Sequence, residues 1–330
     1  MCSTSLPIHA FGIAETAKYE FATNCAFPSQ SEQAMKEAVS AAQGVTHRPR
    51  PGIWSRFRRH RLAVVGSVAF LIVGTTALLA PEILKLDPYS VDLRAYRRPP
   101  SAAHPLGTDA SGRDVLSRLV YGGRVSLSVG VVAVGIYLIL GVLLGAISGF
   151  YGRWVDSVIM RLGDTVMAFP RLILIITLAS LLGPSLFNVM LILGVLGWPP
   201  IARIVRGMFL SLREAEFVVA ARATGASANR LIFCHLLPNA AAPVVVAASY
   251  GTASAILLEA GLSFLGLGVQ PPMASWGNLL YAAQSISVLE SMPWLWIPPG
   301  IMVAVTVLSL NFIGDGLRDA LDPHAVGTGK

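Results

Sequence analysis

The sequence predicts an all-α, polytopic membrane protein with six transmembrane helices, and its composition and apolar patterning support that prediction. Hydrophobic residues make up 54% of the 330 residues and charged residues only 13%, and the mean hydropathy is +0.63. Soluble domains carry about 25% charged residues, so a soluble chain of this size could not cover its surface. Six continuous apolar stretches approach the roughly 20 residues that a helix needs to cross the hydrocarbon core. Because these stretches do not alternate, a closed β-barrel is excluded.

The first apolar stretch follows a polar segment, residues 1–55, which we interpret as a flexible cytoplasmic tail or a misassigned start. No apolar h-region follows the first residues, which argues against a signal peptide. The third stretch is the least regular because it holds Arg161, Asp164 and Arg171. In chain order, the predicted spans cover residues 62–80, 125–149, 158–182, 186–208, 244–265 and 294–313.

The arginine distribution predicts the orientation. Arginines are concentrated just before the first span and in residues 203–230, whereas the loop at 269–292 carries only Glu290. Basic residues accumulate in cytoplasmic loops, so both termini and the loop at 209–240 are expected in the cytoplasm, with loops at 81–123 and 267–292 outside. The first outer loop argues against this placement because it is basic, although its acidic residues reduce the conflict.

Several function classes receive no support from the sequence. The net charge of +7 comes from scattered short clusters, which fit topology signals better than a nucleic-acid surface. Cys2, Cys25 and Cys234 form no disulfide framework and no metal-ligand spacing. Neither an H-E-x-x-H nor a G-x-S-x-G pattern occurs, so no catalytic constellation indicates an enzyme.

Three glycines in the second span, Gly141, Gly145 and Gly149, lie at successive turns of one helix face. Small residues at that spacing let a second helix approach closely. We favour packing within this chain over a contact between subunits.

Residues 211–243 are too polar to cross the membrane and too rich in helix formers for a slack linker. A first short helix is expected to stop at Gly225, and Ser227 can cap a second. Pro238 is expected to end that second helix. By physics alone, the unit could dock into a groove on another protein or cover the end of its own bundle. The second helix carries one apolar stripe of Ala228, Leu231, Ile232, His235 and Leu236.

This segment resembles the EAA loop of ABC importer permeases. That loop has paired alanines, a glycine four residues after the second, and a later Leu-Pro, here Ala220, Ala221, Gly225, Leu237 and Pro238.

The segment departs from the general EAA pattern at two positions. Val219 replaces the glutamate that names the motif, a glutamate lies earlier at Glu216, and His235 takes the isoleucine position. That version is similar to the dipeptide/oligopeptide/nickel branch of the permeases.

Four more stretches look like the C-type subunit of that branch, and the resemblance covers about residues 55–325. It implies a type I ABC importer permease fold for residues 56–325, with residues 326–330 as a C-terminal tail. The stretches are HPLGTDASGRDVLSRLVYG (104–122), MRLGDTVMAFP (160–170), GLSFLGLGVQPP (261–272) and GDGLRDALDP (314–323).

The resemblance implies a channel-forming subunit in a bacterial plasma (inner) membrane. Its expected partners are a B-type permease, two ABC ATPase subunits and an extracytoplasmic substrate-binding protein. This chain has no G-x-x-x-x-G-K-[ST] phosphate loop, so ATP and Mg are expected on the separate ATPases. We expect no cofactor, metal or catalytic residue in this chain.

Two sets of residues are assigned roles. The resemblance implies that one set couples ATP hydrolysis to transport. Charged residues inside the predicted spans suggest a second set that lines the translocation path. For Glu259, a structural ion pair or a side chain that snorkels to the outer surface remain alternatives. The coupling set is Glu216, Ala220, Ala221, Arg222, Gly225, His235, Leu237 and Pro238; the path set is Glu259, Arg161 and Asp164.

The expected cargo is a di- or oligopeptide moved inward. Nickel and glutathione remain alternatives within the branch. An ion-coupled secondary transporter would favour broken helices in two matching halves, and no match to Gly183-Pro184 or Pro199-Pro200 occurs in the other half.

Overall fold

The computed structural model describes residues 52–322, which are almost entirely helical. Residues 1–51 and 323–330, and with them most of the predicted tails, lie outside the described residues. The helices are α1 Ile53–Arg59, α2 Arg61–Ile83, α3 Val115–Tyr151, α4 Arg153–Ala168, α5 Arg171–Leu182, α6 Leu186–Leu196, α7 Trp198–Leu212, α8 Glu216–Ala223, α9 Ala228–Arg230, α10 Leu237–Phe264, α11 Trp276–Leu280, α12 Ile286–Ser291 and α13 Pro293–Leu321. Helix α1 begins at Ile53, inside the segment 1–55 that the sequence assigned to a tail.

Each predicted apolar stretch corresponds to helix in the described part of the chain. Five helical segments there are long and apolar enough to cross a membrane, and a bent pair makes a sixth if it counts as one span. The five are Arg61–Ile83, Val115–Tyr151, Leu186–Leu212, Ala228–Phe264 and Pro293–Leu321. The second span takes in residues 115–123, which the sequence had assigned to the outer loop.

The third stretch is not one straight helix, and that expectation is wrong. α4 and α5 meet at an angle of 86°. Phe169 between them is extended, with ψ 141°, and Pro170 follows. Proline lacks an N–H and disfavours helical geometry in the residue before it, so the helix breaks there.

Helix α3 is central, because it packs on α2, α6, α7 and α10. The glycine face lies against α7 of the same chain. A Cβ added to Gly145 would lie 2.5 Å from the Ala202 carbonyl oxygen. The close approach of the two backbones therefore requires glycine, which agrees with packing inside the chain.

Arg124 ties α2 to α3 at a point where α2 contains a proline. Pro81 has no N–H to give to the Ala77 carbonyl, four residues earlier. Arg124 Nε donates to that carbonyl at 2.9 Å, and its Nη1 lies 3.2 Å from Glu82 Oε1. A basic residue thus satisfies a backbone acceptor that the proline leaves free.

Pro238 does not end the second helix of the loop, and that expectation is also wrong. A π-helical turn, Leu231–Leu236, joins α9 to α10, so the helix runs from Ala228 to Phe264. The Leu237 N–H bonds to the Ile232 carbonyl across this wide turn, and Pro238 then occupies the first turn of α10, where a proline N–H is not needed. The loop helix and the fifth span form one rod of about 56 Å, at 1.5 Å per residue.

Candidate functional site

The hairpin formed by α8 and the start of the long rod is closed by Gly225. Its φ is +84°, in the left-handed region. The Gly225 N–H bonds to the Arg222 carbonyl and the Ala226 N–H to the Ala221 carbonyl, at 3.0 and 3.1 Å. These two bonds form a Schellman motif, which supplies donors to the last carbonyls of α8. The predicted helix stop is confirmed.

The cap predicted for the second helix is also present. Ser227 Oγ accepts a hydrogen bond from the Arg230 N–H at 3.4 Å. The chain therefore leaves α8 and enters the rod within four residues, Thr224 to Ser227. So short a connection, with both helix ends capped, fixes the direction of α8 relative to the rod.

The apolar stripe of the hairpin packs into the chain's own core. Val218 of α8 and Leu231, Ile232 and Leu236 of the rod are buried in the largest hydrophobic cluster. Of the two alternatives stated for the unit, the inner face shows the second, because it covers the end of its own bundle, although Ala228 of the predicted stripe is exposed. The hairpin is therefore anchored by its inner face.

The outer face of the hairpin is exposed and partly apolar. Phe217, Val219 and Phe233, which we call the hairpin patch, are 45%, 53% and 57% exposed. Glu216, Ala220 and Arg222 are exposed beside them. A surface rimmed by polar residues and carrying large apolar side chains is typical of a protein contact.

The other assigned coupling residues divide between the two faces. Ala221 and Leu237 are half-buried and pack against the core, and His235 is half-buried. Pro238 is exposed. The structure thus brings the assigned set into one hairpin, with Gly225 at its turn.

Glu259 lies five residues before the end of α10 and is 0% exposed. Its carboxylate accepts hydrogen bonds from Ser126 Oγ at 2.9 Å and Ser263 Oγ at 2.8 Å. Within residues 52–322 no cation lies within ion-pair distance of it. Among the described residues, Glu259 therefore has neither the ion-pair partner nor the solvent exposure that the two alternatives require.

The serines around Glu259 also hold backbone groups. Ser126 Oγ accepts from the Trp276 N–H at 3.2 Å, and Ser263 Oγ accepts from the Val269 N–H at 3.0 Å. Each hydroxyl can accept these bonds while donating to the carboxylate. Glu259 therefore fixes the segment between α10 and α11 through two serines.

The two remaining path candidates lie far from this network in the sequence and differ in their surroundings. Asp164 forms an ion pair with Arg203, and both side chains are exposed. Arg161 is exposed, and no acid within the described range pairs with it. The structure does not bring Arg161 and Asp164 together with Glu259.

A second ion pair on α4 was not singled out from the sequence. Asp156 Oδ2 lies 2.6 Å from Arg206 Nη2, and Asp156 also accepts from the Ser148 hydroxyl. The bonds join the end of α3, the start of α4 and α7. An acid in the first turn of an amphipathic helix was the available signal, because it favours the helix N-terminus.

Comparison with known proteins identifies the family. Residues 141–326 match the model described as "Binding-protein-dependent transport system inner membrane component". Residues 52–100 match the N-terminal TM domain of oligopeptide transport permease C. The chain belongs to this permease family. The predicted class, a membrane-spanning transport subunit and not an ATPase, is confirmed with it.

Named relatives share most of their length with this chain. A Brucella suis protein with the provisional name of a peptide permease is 45% identical over 88% of this chain and 95% of its own. The dipeptide transport system permease protein DppC of Alkalihalophilus pseudofirmus is 44% identical over 82% of this chain and 88% of its own. The oligopeptide transport system permease protein OppC of Bacillus subtilis is 40% identical over 81% of this chain and 87% of its own.

One solved structure is also similar to the chain. The MetNI methionine ABC transporter, in an inward-facing conformation, aligns with a TM-score of 0.49 at 20% identity. The alignment covers 62% of this chain and 97% of the other.

Proposed function

We propose that this permease imports di- or oligopeptides, as one of two channel-forming subunits driven by separate ATPases. The observation that carries the proposal is the hairpin: a rigidly anchored unit with an exposed apolar face, in a chain of the permease family. The peptide substrate is supported by the names of the dipeptide and oligopeptide relatives, which are 40–44% identical.

The proposed partners are a B-type permease, two ATPases and a substrate-binding protein. The hairpin patch would meet an ATPase on the cytoplasmic side, where both termini would also lie. ATP and Mg would bind to the ATPases. Arginines that follow α7 or lie within the hairpin support this orientation because basic residues favour the cytoplasm; they include Arg213, Arg222 and Arg230.

Uptake by the reconstituted importer tests the proposal. The four kinds of subunit are placed in liposomes, and ATP-dependent accumulation of a labelled peptide is measured. Nickel and glutathione are tested in parallel. Peptide uptake that requires ATP and the binding protein is expected. Uptake of nickel or glutathione alone would replace the peptide assignment while keeping the importer.

Single cysteines in a background lacking native cysteine test the orientation. Ala226 is half-buried at the hairpin turn and is expected to react only from the cytoplasmic side. In the outer loop at 267–292, Ser275 is unsuitable for cysteine labelling because it is fully buried. Ser287 is exposed and is expected to react with an impermeant reagent from outside. Labelling of both positions from outside would contradict the proposed orientation.

A further inference from the structure

At the end of the bundle opposite the hairpin, the structure contains a cavity of about 730 Å³. Its walls come from two segments: the loop leading into α3, and the connection from the end of α10 to the start of α13. Sites for small molecules usually enclose roughly 300–1,000 Å³. The cavity is therefore large enough for a short peptide or for the end of a longer one.

The charged wall of the cavity is basic. Arg97, Arg113 and Arg118 line it, with Asp109 as the acid among the lining residues. The Asp109 carboxylate is already engaged: Oδ2 accepts from Arg113 Nε at 2.8 Å, and Oδ1 accepts from the N–H groups of Ser111 and Arg113. The Asp109 carboxylate thus lies beside Arg113 and Arg118, and with Arg97 the lining residues carry an excess of positive charge.

Arg118 is the most confined of the three arginines. Its side chain is 2% exposed. Nη2 donates to Asn278 Oδ1 at 3.3 Å, and Nε lies 3.5 Å from Asp109 Oδ2. Nε and Nη1 are buried without a hydrogen-bond acceptor among residues 52–322, as is Arg97 Nε. Buried donors without an acceptor cost free energy, so an acceptor supplied by a ligand would be favoured here.

The rest of the cavity carries apolar and amide groups, and Asn278 among them contacts Arg118 directly. The network around Glu259 holds this part of the cavity, because Ser263 lines the cavity and anchors the Val269 N–H. The cavity therefore offers guanidinium donors together with apolar surface. The apolar lining residues are Val269, Leu279, Val288 and Leu295.

We propose that this cavity binds the free carboxylate of a peptide, with Arg118 and Arg97 as the donors. Guanidinium groups match carboxylates in geometry as well as in charge. The enclosure of Arg118 favours a chain end over the surface of a folded protein. This inference rests on the proposed function, which gives the peptide as cargo and places this end on the side where the binding protein delivers it.

Direct binding to the complete membrane complex, without the binding protein, tests the site. The complex is placed in nanodiscs and titrated with a short peptide that carries a fluorophore at its N-terminus. A matched probe has the C-terminal carboxylate replaced by an amide. We expect the wild type to bind the carboxylate probe at least about tenfold more tightly, because hydrogen bonds to charged groups are the stronger ones.

Variants separate the arginines of the cavity from other basic residues of the same loop. Arg118→Gln and Arg97→Gln are expected to weaken binding of the carboxylate probe about 10- to 100-fold, with little effect on the amide probe. Arg118→Lys keeps the charge but loses the paired N–H donors of the guanidinium group. Its affinity for the carboxylate probe is expected to lie between those of the wild type and Arg118→Gln. Arg94→Gln is the matched control, since Arg94 is exposed and does not line the cavity.

Stability distinguishes a binding role from a structural one. Arg118→Gln removes the contacts of Arg118 with Asp109 and Asn278 together with two buried nitrogens that lack acceptors, so a structural role alone predicts a lower melting temperature with no difference between the two probes. If Arg118→Gln fails to assemble, the half-buried Arg97 provides the test through Arg97→Gln. Unchanged affinity in the assembled variants would overturn the proposal, as would no binding to the wild type or equal binding of the two probes.

One further outcome would reassign the site. If Arg118→Gln loses ATPase stimulation by the binding protein while peptide affinity stays the same, the cavity receives a group of that protein instead, and the proposal is wrong. Failure of the proposed function looks different. In that case the wild-type importer itself takes up no peptide in liposomes. A wild type that transports peptide but binds it independently of Arg118 and Arg97 contradicts only the inference of this subsection.

Discussion

The two ends of the helical bundle treat polar and apolar groups in opposite ways. At the hairpin end, apolar side chains such as Phe217 and Phe233 are exposed beside charged residues. At the opposite end, charged residues such as Arg118 and Glu259 are buried, and a cavity is lined by both arginine and apolar side chains. An exposed apolar face suits a contact between proteins, whereas buried charge within a cavity suits recognition of a small ligand.

The two ends are joined by one helix. The rod from Ala228 to Phe264 carries Leu231 and Leu236 of the hairpin near its start and Glu259 and Ser263 near its other end. Both ends of the bundle are therefore built partly from the same helix, and the following experiments test each end in turn.

The largest effect is expected at the cavity end, from Glu259→Leu. The change leaves the hydroxyls of Ser126 and Ser263 without their acceptor, at about 1–3 kcal/mol each, so a loss of about 2–6 kcal/mol in stability is expected. The measurement is thermal unfolding of the purified complex, with subunit yield alongside. Glu259→Gln is the matched control: it keeps the size and an acceptor, and no cation is left unpaired.

A yield of Glu259→Gln as low as that of Glu259→Leu would mean that the negative charge itself is needed for assembly. Uptake adds a second readout. If Glu259→Gln assembles normally but transports poorly, a path role is supported. If Glu259→Leu assembles and transports normally, Glu259 neither holds the cavity lining nor lines a path.

At the hairpin end, Gly225→Val is expected to lower the stability of the hairpin by about 1–2 kcal/mol or more. A side chain in the left-handed region is strained, and β-branched residues tolerate that region least. No atom lies within 4 Å of an added Cβ, so the cost comes from the backbone. The measurements are ATPase association and stimulated ATPase activity. Gly225→Asn, which tolerates this region better, should retain most of both.

Normal stimulated activity in an assembled Gly225→Val complex would show that the angle between α8 and the rod does not matter for coupling. The assigned role of the hairpin would then be wrong, while the family assignment would stand.

A smaller effect is expected from Phe217→Ser in the hairpin patch. The side chain is about half exposed, so removing it should weaken ATPase association by about 1 kcal/mol, or roughly fivefold. Stability of the permease should change little. Val218→Ser is the contrasting variant, because Val218 is buried in the core and its replacement should destabilise the chain itself. The reverse pattern would show that the exposed face is not the contact.

The smallest effect is expected from Asp164→Asn, which removes an exposed ion pair with Arg203. Such pairs contribute about 0–1 kcal/mol, so unfolding should hardly change. Asp156→Asn should cost more, because Asp156 is more buried and joins three helices through Arg206 and Ser148. If Asp164→Asn impairs uptake while stability is unchanged, its assignment to the translocation path gains support.

Local signals were enough for some parts of the hairpin and not for others. The helix stop at Gly225 and the cap at Ser227 depend on neighbours within four residues, so the sequence predicts them. Pro238 was misjudged because its effect depends on the preceding turn: the π-helical Leu231–Leu236 lets the rod pass the proline. A wide turn of that kind leaves no clear pattern in the sequence.

The membrane class, most of the helices and the family follow from the sequence, because composition, apolar length and ordered motifs are properties of the chain read along its length. The buried face of the hairpin, the 86° angle within the third stretch, and the contacts of Arg118 with Asp109 and Asn278 are known from the folded structure. Arg118 and Asn278 are 160 residues apart. Contacts between such distant residues follow from how the helices pack, and the pattern along the chain does not specify that packing.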